Sequence, residues 1–438
     1  MNVPVAIAMF GWIPLVLALF VYLPHRRAAL IGFVAGWMFL PIAGFVIHGL
    51  PDYTKMSATC GVVLLGAVIF DFRRLISLRL RLVDIPILVL CLSPFASSIS
   101  NHMGVHEGLS ALSDWAITWG VPYAIGRLYF DELPYLRELA IGIFLGGLLY
   151  VPLCLWEIAN GPDLHRLVYG YAQDFLDQEL RFGIQRPMVF MQGGLMVGAW
   201  MAAASVLGFW LWKSGSLPSR FRYWLAWLVP LLAFTTIDVR SVNGWVLMAM
   251  GAGLLALHSC WRSAMPLIAI MLSIATYVSV RAIGIWSGEQ AVPVAERLID
   301  AAKGRSILFR MQNERIIISN VHERPVFGWG RQLGSVDDHQ GGQAVRDSLW
   351  VSVFAQCGTV GLVGIMGALL LPVAVFIRRF PASQWQETAV APAAALAVVV
   401  ILYTLDDLAN ASINPVFMLA SGGLAGLRCE RLACCGKS

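Results

Sequence analysis

Five residues of this chain have types and positions that suit chemistry on a charged substrate. Arg186, Arg240 and Arg310 lie beside long apolar segments, and His339 and Asp347 lie close together further along the chain. A guanidinium group binds phosphate oxygens through two parallel hydrogen bonds and stays charged at physiological pH. A carboxylate or an imidazole can take the proton from an attacking hydroxyl group. Together these residues indicate a site that binds a phosphate-bearing substrate and removes a proton.

The rest of the chain has the composition of a membrane protein. Of its 438 residues, 58% are hydrophobic and 13% are charged, and the mean hydropathy is +0.72. A soluble domain cannot carry so much apolar surface without aggregating, so the composition predicts a polytopic membrane protein. The eight cysteines are scattered and form no metal-binding or disulfide pattern. We therefore expect no metal site, and no cofactor.

Thirteen apolar segments approach the length of about 20 residues that a helix needs to cross a bilayer. The predicted fold class is all-α, a polytopic bundle of about 12–13 transmembrane helices with a long extracytoplasmic loop that contains helices. The predicted spans lie near residues 3–23, 28–49, 57–71, 84–100, 108–127, 136–158, 187–212, 222–238, 241–258, 263–284, 347–376, 387–408 and 413–427.

The placement of arginine and lysine predicts the orientation of these spans. Every second connection is basic, from the Arg26–Arg27 pair after the first span to Arg428 after the last. Basic connections lie on the cytoplasmic side of membrane proteins, so the N-terminus is expected outside and the C-terminus inside. The predicted organisation is a transmembrane bundle at 1–284, an extracytoplasmic loop at 285–346, and C-terminal spans with a short tail at 347–438.

The long loop has recognisable local signals. Apolar residues recur at helical spacing between Ser306 and Val321, and Pro325, Gly328 and Gly330 then favour a tight reversal. Acidic residues nearly balance its arginines, so we expect no nucleic-acid partner. The expected structure is a helix across the outer membrane face, followed by a return to the bilayer at Asp347.

Arg186, Arg240 and Arg310 all fall on the predicted outer side, against the usual charge bias. Cations at membrane depth suggest a bound anion, and the obvious lipid-borne anion is a phosphate. Simpler interpretations remain for each arginine. Arg186 is then a solvated loop residue, Arg240 pairs with Asp238, and Arg310 pairs with Glu314 four residues later on one helix.

The candidate bases also have structural interpretations. An aspartate at a helix start, as at Asp347, is a common N-cap, and His339 resembles an ordinary polar loop residue. Asp406 and Asp407 end a predicted span at its outer side. They could line a path for the glycan, but solvated carboxylates at a helix end are the simpler interpretation. These alternatives remain open on the sequence alone.

The combination of motifs resembles the O-antigen ligase and O-antigen polymerase superfamily. Arg310 followed by the turn Pro325–Gly330 is similar to the family's arginine, amphipathic helix and P-x-x-G-x-G turn. Asp347 with Gly358 ten residues after Ser348 is similar to its histidine and glycine element. Arg186–Pro187 and Arg240–Ser241 are similar to its two membrane-edge arginines. The resemblance covers about residue 180 to the C-terminus.

The resemblance implies an integral membrane glycosyltransferase that uses polyprenyl-diphosphate-linked glycans at the outer face of the bacterial cytoplasmic membrane. The ligases carry histidine where this chain has Asp347, which favours polymerisation over ligation. Arg186, Arg240 and Arg310 are then the expected diphosphate-binding residues, and Asp347 or His339 the catalytic base. The expected partners are a lipid-linked oligosaccharide donor, a glycan acceptor, membrane lipids and polysaccharide assembly proteins.

Two other classes of protein share some of these features. A transporter or flippase of lipid-linked or amphiphilic substrates also has many spans with intramembrane charges. Transporters of this size usually show two related halves and a midplane site, and neither is evident in this sequence. A non-catalytic partner in envelope synthesis is the third interpretation.

Overall fold

The computed structural model describes residues 3–46, 52–173, 180–181, 184–288, 290, 301–331 and 348–428. Most of these residues are helical, as expected. Strands within these ranges are limited to two short antiparallel pairs, Gly44–Phe45 with Tyr53–Thr54 and Leu180–Arg181 with Ile184–Gln185.

Short π-helical segments at Ser57–Gly61 and Ala116–Gly120 lead directly into two of the α-helices. In chain order they are α1 (Val3–Tyr22), α2 (His25–Phe39), α3 (Val62–Phe70), α4 (Phe72–Ile76), α5 (Ile85–Ser100), α6 (Val105–Trp115), α7 (Val121–Tyr129), α8 (Leu133–Asn160), α9 (Leu164–Tyr169), α10 (Gly194–Lys213), α11 (Ser219–Asp238), α12 (Val242–Trp261), α13 (Met265–Ile283), α14 (Ala301–Val321), α15 (Leu349–Arg379), α16 (Ala391–Asp406) and α17 (Pro415–Gly426).

Seven described helices are long and apolar enough to cross a membrane: Val3–Tyr22, Leu82–Ser100, Leu133–Asn160, Gly194–Lys213, Val242–Trp261, Met265–Ile283 and Leu349–Arg379. Three shorter apolar helices, Ser57–Phe70, Ala391–Asp406 and Pro415–Gly426, accompany them. Each predicted span coincides with a helix. The membrane character of the chain is therefore supported by length and composition, with fewer full-length helices than the thirteen spans predicted.

Two helix boundaries differ from the prediction. The segment predicted to span 28–49 ends at Phe39, because Pro41 disfavours helical backbone at Leu40, which is extended at φ −66° and ψ 146°. The segment predicted at 187–212 begins only at Gly194, after a non-helical stretch. Both stretches lie at helix ends where polar backbone must find other partners.

The centre of the bundle is made of small side chains. Nearly every residue of α16 and α17 is buried. A Cβ atom on Gly422 of α17 would lie 2.1 Å from the Tyr123 carbonyl oxygen of α7, and one on Gly126 would lie 2.2 Å from the Leu419 carbonyl oxygen. Helices α7 and α17 therefore pack with their backbones in direct contact, which glycine allows between apolar helices.

The bundle has two ends that carry different groups. Asp84, just before α5, accepts hydrogen bonds from Arg127, and Asn101, just after α5, donates to the Gly328 carbonyl beyond α14. We call the end with Asn101 and α14 the loop end. The end with Arg127, where α7 and α17 finish, is called the basic end.

Candidate functional site

The turn Pro325–Gly330 is inserted into a break in α15. That helix is interrupted at Gly358, which has φ 62° and ψ −159°. The amide of Thr359 donates to the carbonyl that begins the turn at 2.8 Å, and the amide of Trp329 donates to the Ala355 carbonyl at 2.9 Å. The break frees backbone groups of α15, and the turn satisfies them. Two motifs that the sequence suggested separately therefore form one unit.

Polar side chains of α5 hold this unit in place. Asn101 donates from Nδ2 to the Gly328 carbonyl at 2.9 Å, and Ser97 donates to the Gln356 carbonyl at 2.8 Å. Arg324 donates to the side-chain oxygen of Asn101. The guanidinium of Arg324 also lies over the Trp329 ring at 4.2 Å, a cation–π contact. The turn is thus fixed on two sides.

Replacing Gly358 should disturb the unit strongly. A Cβ atom there would lie 2.4 Å from the Val326 carbonyl oxygen, and the left-handed backbone adds about 1–2 kcal/mol for any other residue. We expect Gly358→Ala to lower the thermal unfolding midpoint in detergent by several degrees. Gly253→Ala is the matched control, because nothing lies within 4 Å of its Cβ position on α12. Equal midpoints for the two variants would show that the turn does not depend on Gly358.

A second cluster forms around the connection between α16 and α17, residues 407–414, which we call the hub. Asp406 ends α16, and its Oδ1 accepts hydrogen bonds from Asn243 at 2.5 Å and Asn410 at 2.6 Å. Its Oδ2 has no hydrogen-bond partner among the described residues. Asp406 is 2% exposed, and Asp407 is fully buried beside the Tyr403 hydroxyl. The interpretation as solvated helix ends was wrong, because both side chains are buried and Asn243 of α12 and Asn410 of the hub bind the Asp406 carboxylate.

Arg310 reaches the hub from α14. Its Nη1 donates to the Ala409 carbonyl at 2.5 Å, and its charge acts on the Asp406 carboxylate. The alternative of a simple pair between Arg310 and Glu314 was wrong, since Glu314 pairs with another arginine. Arg310 thus places a guanidinium group at the hub, where it can form charge-assisted hydrogen bonds to an anion.

Glu314 pairs with Arg281 of α13. Nη2 of Arg281 donates to Oε2 of Glu314 at 2.6 Å, and the Ser348 hydroxyl lies 3.3 Å from Oε1. Burial raises the pKa of Glu314, and Arg281 acts against this by hydrogen bonding and by its charge. Arg281 is 1% exposed, so the pair is deeply buried beside the start of α15.

The start of α15 is attached to the hub. The Leu349 amide lies 3.1 Å from the Asp407 carbonyl and 3.2 Å from the Asn410 carbonyl. Ser348 occupies the N-cap position of α15, without a side-chain hydrogen bond to the first turn. Asp347 and His339 themselves lie outside the residues that the structure describes. Their roles remain predictions.

Arg240 lies in the turn between α11 and α12 with φ 57°. This left-handed conformation is unusual for a long side chain and often accompanies a functional position. Arg240 is half-buried, and within the described ranges no ion pair joins it to Asp238. Asn243, three residues on, binds Asp406. The Arg240 turn therefore adjoins the hub.

Arg186 is buried at 4% exposure, so it is not a solvated loop residue. The segment after it is held by Glu157, whose Oε2 accepts hydrogen bonds from the amides of Met188 and Val189 at 2.8 Å each. Further along, Gln192 lines a cavity together with Ile413 of the hub. The stretch after Arg186 thus also reaches the loop end.

The cavity beside the hub contains a buried lysine that the sequence analysis passed over. The cavity has a volume of about 370 Å³ and is lined in part by Trp37, Lys55, Gln192 and Ile413. Nζ of Lys55 donates to the Phe190 carbonyl at 2.8 Å and lies 5.3 Å from the centre of the Trp37 ring. Burial lowers the pKa of Lys55 to about 7. The volume falls in the range of about 300–1,000 Å³ that ligand sites occupy.

The residues missed by sequence reasoning fall into two kinds. Lys55 carried a signal, because it is a basic residue on the side that the arginine pattern assigns to the exterior. Asn243 and Arg281 carried no such signal, since their importance comes from partners far away in the chain. Comparison with known proteins adds no further assignment: the sequence matches no family model and no curated protein.

Proposed function

We propose that this protein is a membrane glycosyltransferase that acts on polyprenyl-diphosphate-linked glycans at the outer face of the bacterial cytoplasmic membrane. The loop end is its active face, and polymerisation of a surface polysaccharide is its reaction. The full arrangement comprises 12–13 spans, with residues 285–346 outside. The alternation of basic connections along the sequence supports this orientation.

The observation that carries the proposal is the convergence of three segments on the hub. Arg310 contacts the Ala409 carbonyl, the Arg240 turn adjoins Asn243 and Asp406, and the stretch after Arg186 reaches Ile413. These contacts bring cationic segments from separate parts of the chain to one end of an apolar bundle. A diphosphate that leaves with growing negative charge is stabilised by such preorganised cations.

The reaction follows from this arrangement. The bond between the anomeric carbon and the diphosphate oxygen breaks, and the electron pair leaves with the diphosphate. A hydroxyl group of the acceptor sugar forms the new glycosidic bond, and its proton passes to a base. Asp347 or His339 is the proposed base. The Ser348 hydroxyl, next to Asp347 in the chain, donates to the buried Glu314 carboxylate.

A reconstitution assay separates this reaction from transport. The purified protein is placed in liposomes with lipid-linked oligosaccharides extracted from the producing cells. We expect longer lipid-linked glycans to form, because each transfer joins two oligosaccharides by a new glycosidic bond. Liposomes without protein serve as the control, and glycans are resolved by mass. Movement of unchanged oligosaccharides across the bilayer, without a new glycosidic bond, would instead establish a flippase.

A further inference from the structure

A pocket at the basic end, across the bundle from the hub, has no part in the proposed transfer reaction. Its volume is about 340 Å³, again within the range of about 300–1,000 Å³ typical of ligand sites. It is formed by the connection before α5, by the end of α7 and by the end of α17. Five arginines line it: Arg74, Arg79, Arg81, Arg127 and Arg428.

Two carboxylates compensate only part of this charge. Asp84 forms an ion pair with Arg127, in which Nε of the arginine lies 2.8 Å from Oδ1 of the aspartate. Asp131, which is 3% exposed and lines the pocket, pairs with Arg428 at 2.6 Å and more distantly with Arg74 at 3.7 Å. Among the described residues, five guanidinium groups against two carboxylates leave three positive charges in excess around the cavity.

The excess charge is concentrated on two arginines. No hydrogen bond or ion pair joins the Arg79 side chain to another of the described residues. Among the described residues, the Arg81 side chain donates only to the Gly426 carbonyl, at a long 3.4 Å. Burial and then the charges of Arg127 and Arg379 lower the pKa of Arg81, which is the effect of crowded cations without sufficient counter-charge.

We propose that this pocket binds a phosphate-bearing anion through Arg79 and Arg81, with Arg74 and Arg428 held in place by Asp131. Guanidinium groups match phosphate oxygens bidentately. An anion at the centre would relieve the repulsion among the arginines, as occurs in basic pockets between helices that bind lipid headgroups.

The surroundings of the pocket favour a phospholipid as the source of the phosphate. Apolar side chains close in sequence to Arg79 and Arg81 are strongly exposed: Ile76 by 67%, Leu80 by 65%, Leu82 by 82% and Ile85 by 48%. A patch of this kind is costly in water and suits contact with acyl chains. The arginine pattern also assigns this end to the cytoplasmic leaflet, which carries anionic lipids.

The test uses the purified full chain in detergent. It is titrated separately with dioleoyl phosphatidylglycerol, dioleoyl phosphatidylcholine and inorganic pyrophosphate, and the thermal unfolding midpoint is followed. The variant is Arg79→Gln with Arg81→Gln. The matched control is Arg220→Gln with Arg222→Gln, because these arginines lie at the start of α11 and do not line the pocket.

We expect the pocket variant to bind phosphatidylglycerol about 30-fold more weakly than the unmodified protein, since each arginine near an anionic lipid contributes about 1 kcal/mol. The control and the weak response to phosphatidylcholine should stay unchanged. A loss confined to pyrophosphate would support the site with a soluble phosphate compound as its ligand. Equal affinities in variant and unmodified protein for both anions, or an equal loss in the control, would overturn the proposal.

Two further variants separate a loss of lipid binding from a loss of folding. Arg79→Lys with Arg81→Lys keeps both charges and should recover most of the affinity for phosphatidylglycerol. If the double glutamine variant does not fold, Arg79→Gln alone is used, because this side chain has no partner among the described residues. The single variant should still bind phosphatidylglycerol several-fold more weakly, and unchanged binding would again overturn the proposal.

Discussion

Arg310→Ala is expected to lower polymer synthesis by about 100- to 1,000-fold, the effect of removing one donor that stabilises developing negative charge. The protein should accumulate normally, because the one hydrogen bond of the Arg310 side chain to another described residue is to the Ala409 carbonyl, and the buried ion pair of Glu314 is with Arg281. The measurement is the rate of glycan elongation in liposomes with matched amounts of protein. Arg310→Lys should recover only part of the rate, since one ammonium group cannot reproduce the bidentate fork.

Gln312→Ala is the matched control for this measurement. Gln312 lies on the same helix and is exposed, so its loss should leave the rate unchanged. The thermal unfolding midpoint of both variants shows whether the helix still docks. Full activity of Arg310→Ala would rule out its role in binding the diphosphate, and an equal loss in Gln312→Ala would indicate that the helix, rather than the charge, matters.

Asp347→Asn is expected to lower the rate by about 100- to 10,000-fold, the usual contribution of a general base. Asparagine has nearly the same shape and keeps a hydrogen-bonding side chain, and it caps helices about as well as aspartate. The defect should therefore appear in the rate of transfer and leave the thermal unfolding midpoint unchanged. Elongation is followed at saturating lipid-linked donor, so that a change in donor affinity does not mimic a change in rate.

His339→Ala provides the comparison. If Asp347 is the base, the His339 variant should keep most of its activity, and Asp347→Asn should lose it. The reverse result would assign proton transfer to His339. Near-normal rates in both variants would exclude both residues and direct attention to the carboxylates that the structure places at the loop end, Asp406 and Glu314.

The chain's helical and apolar character was readable from the sequence because it depends on local properties. A run of about 20 apolar residues partitions into lipid whatever the rest of the chain does. Each predicted span has a helix in its place, and the helix expected between Ser306 and Val321 is present within α14. The turn after it was also predicted, since Gly328 and Gly330 adopt the left-handed backbone that glycine permits.

The choice of charge partners could be decided only by the tertiary structure. Spacing on one helix favoured a pair between Arg310 and Glu314, but packing of α13 against α14 brings Arg281 to Glu314 instead. A contact four residues away along a helix contributes only a few tenths of a kcal/mol when exposed. Leaving the buried Glu314 carboxylate without a partner would destabilise the fold by far more, and the buried Arg281 forms the ion pair with it.

The sequence by itself determined which segments are apolar, which connections are basic and where the chain reverses, because each of these depends on neighbouring residues. Only the tertiary structure decided that the turn Pro325–Gly330 enters the break at Gly358, that Asp406 is buried, and that Arg310 contacts the Ala409 carbonyl. These features join residues many helices apart. They arise from the packing of small side chains in α7 and α17 and of the helices around them, which no local pattern records.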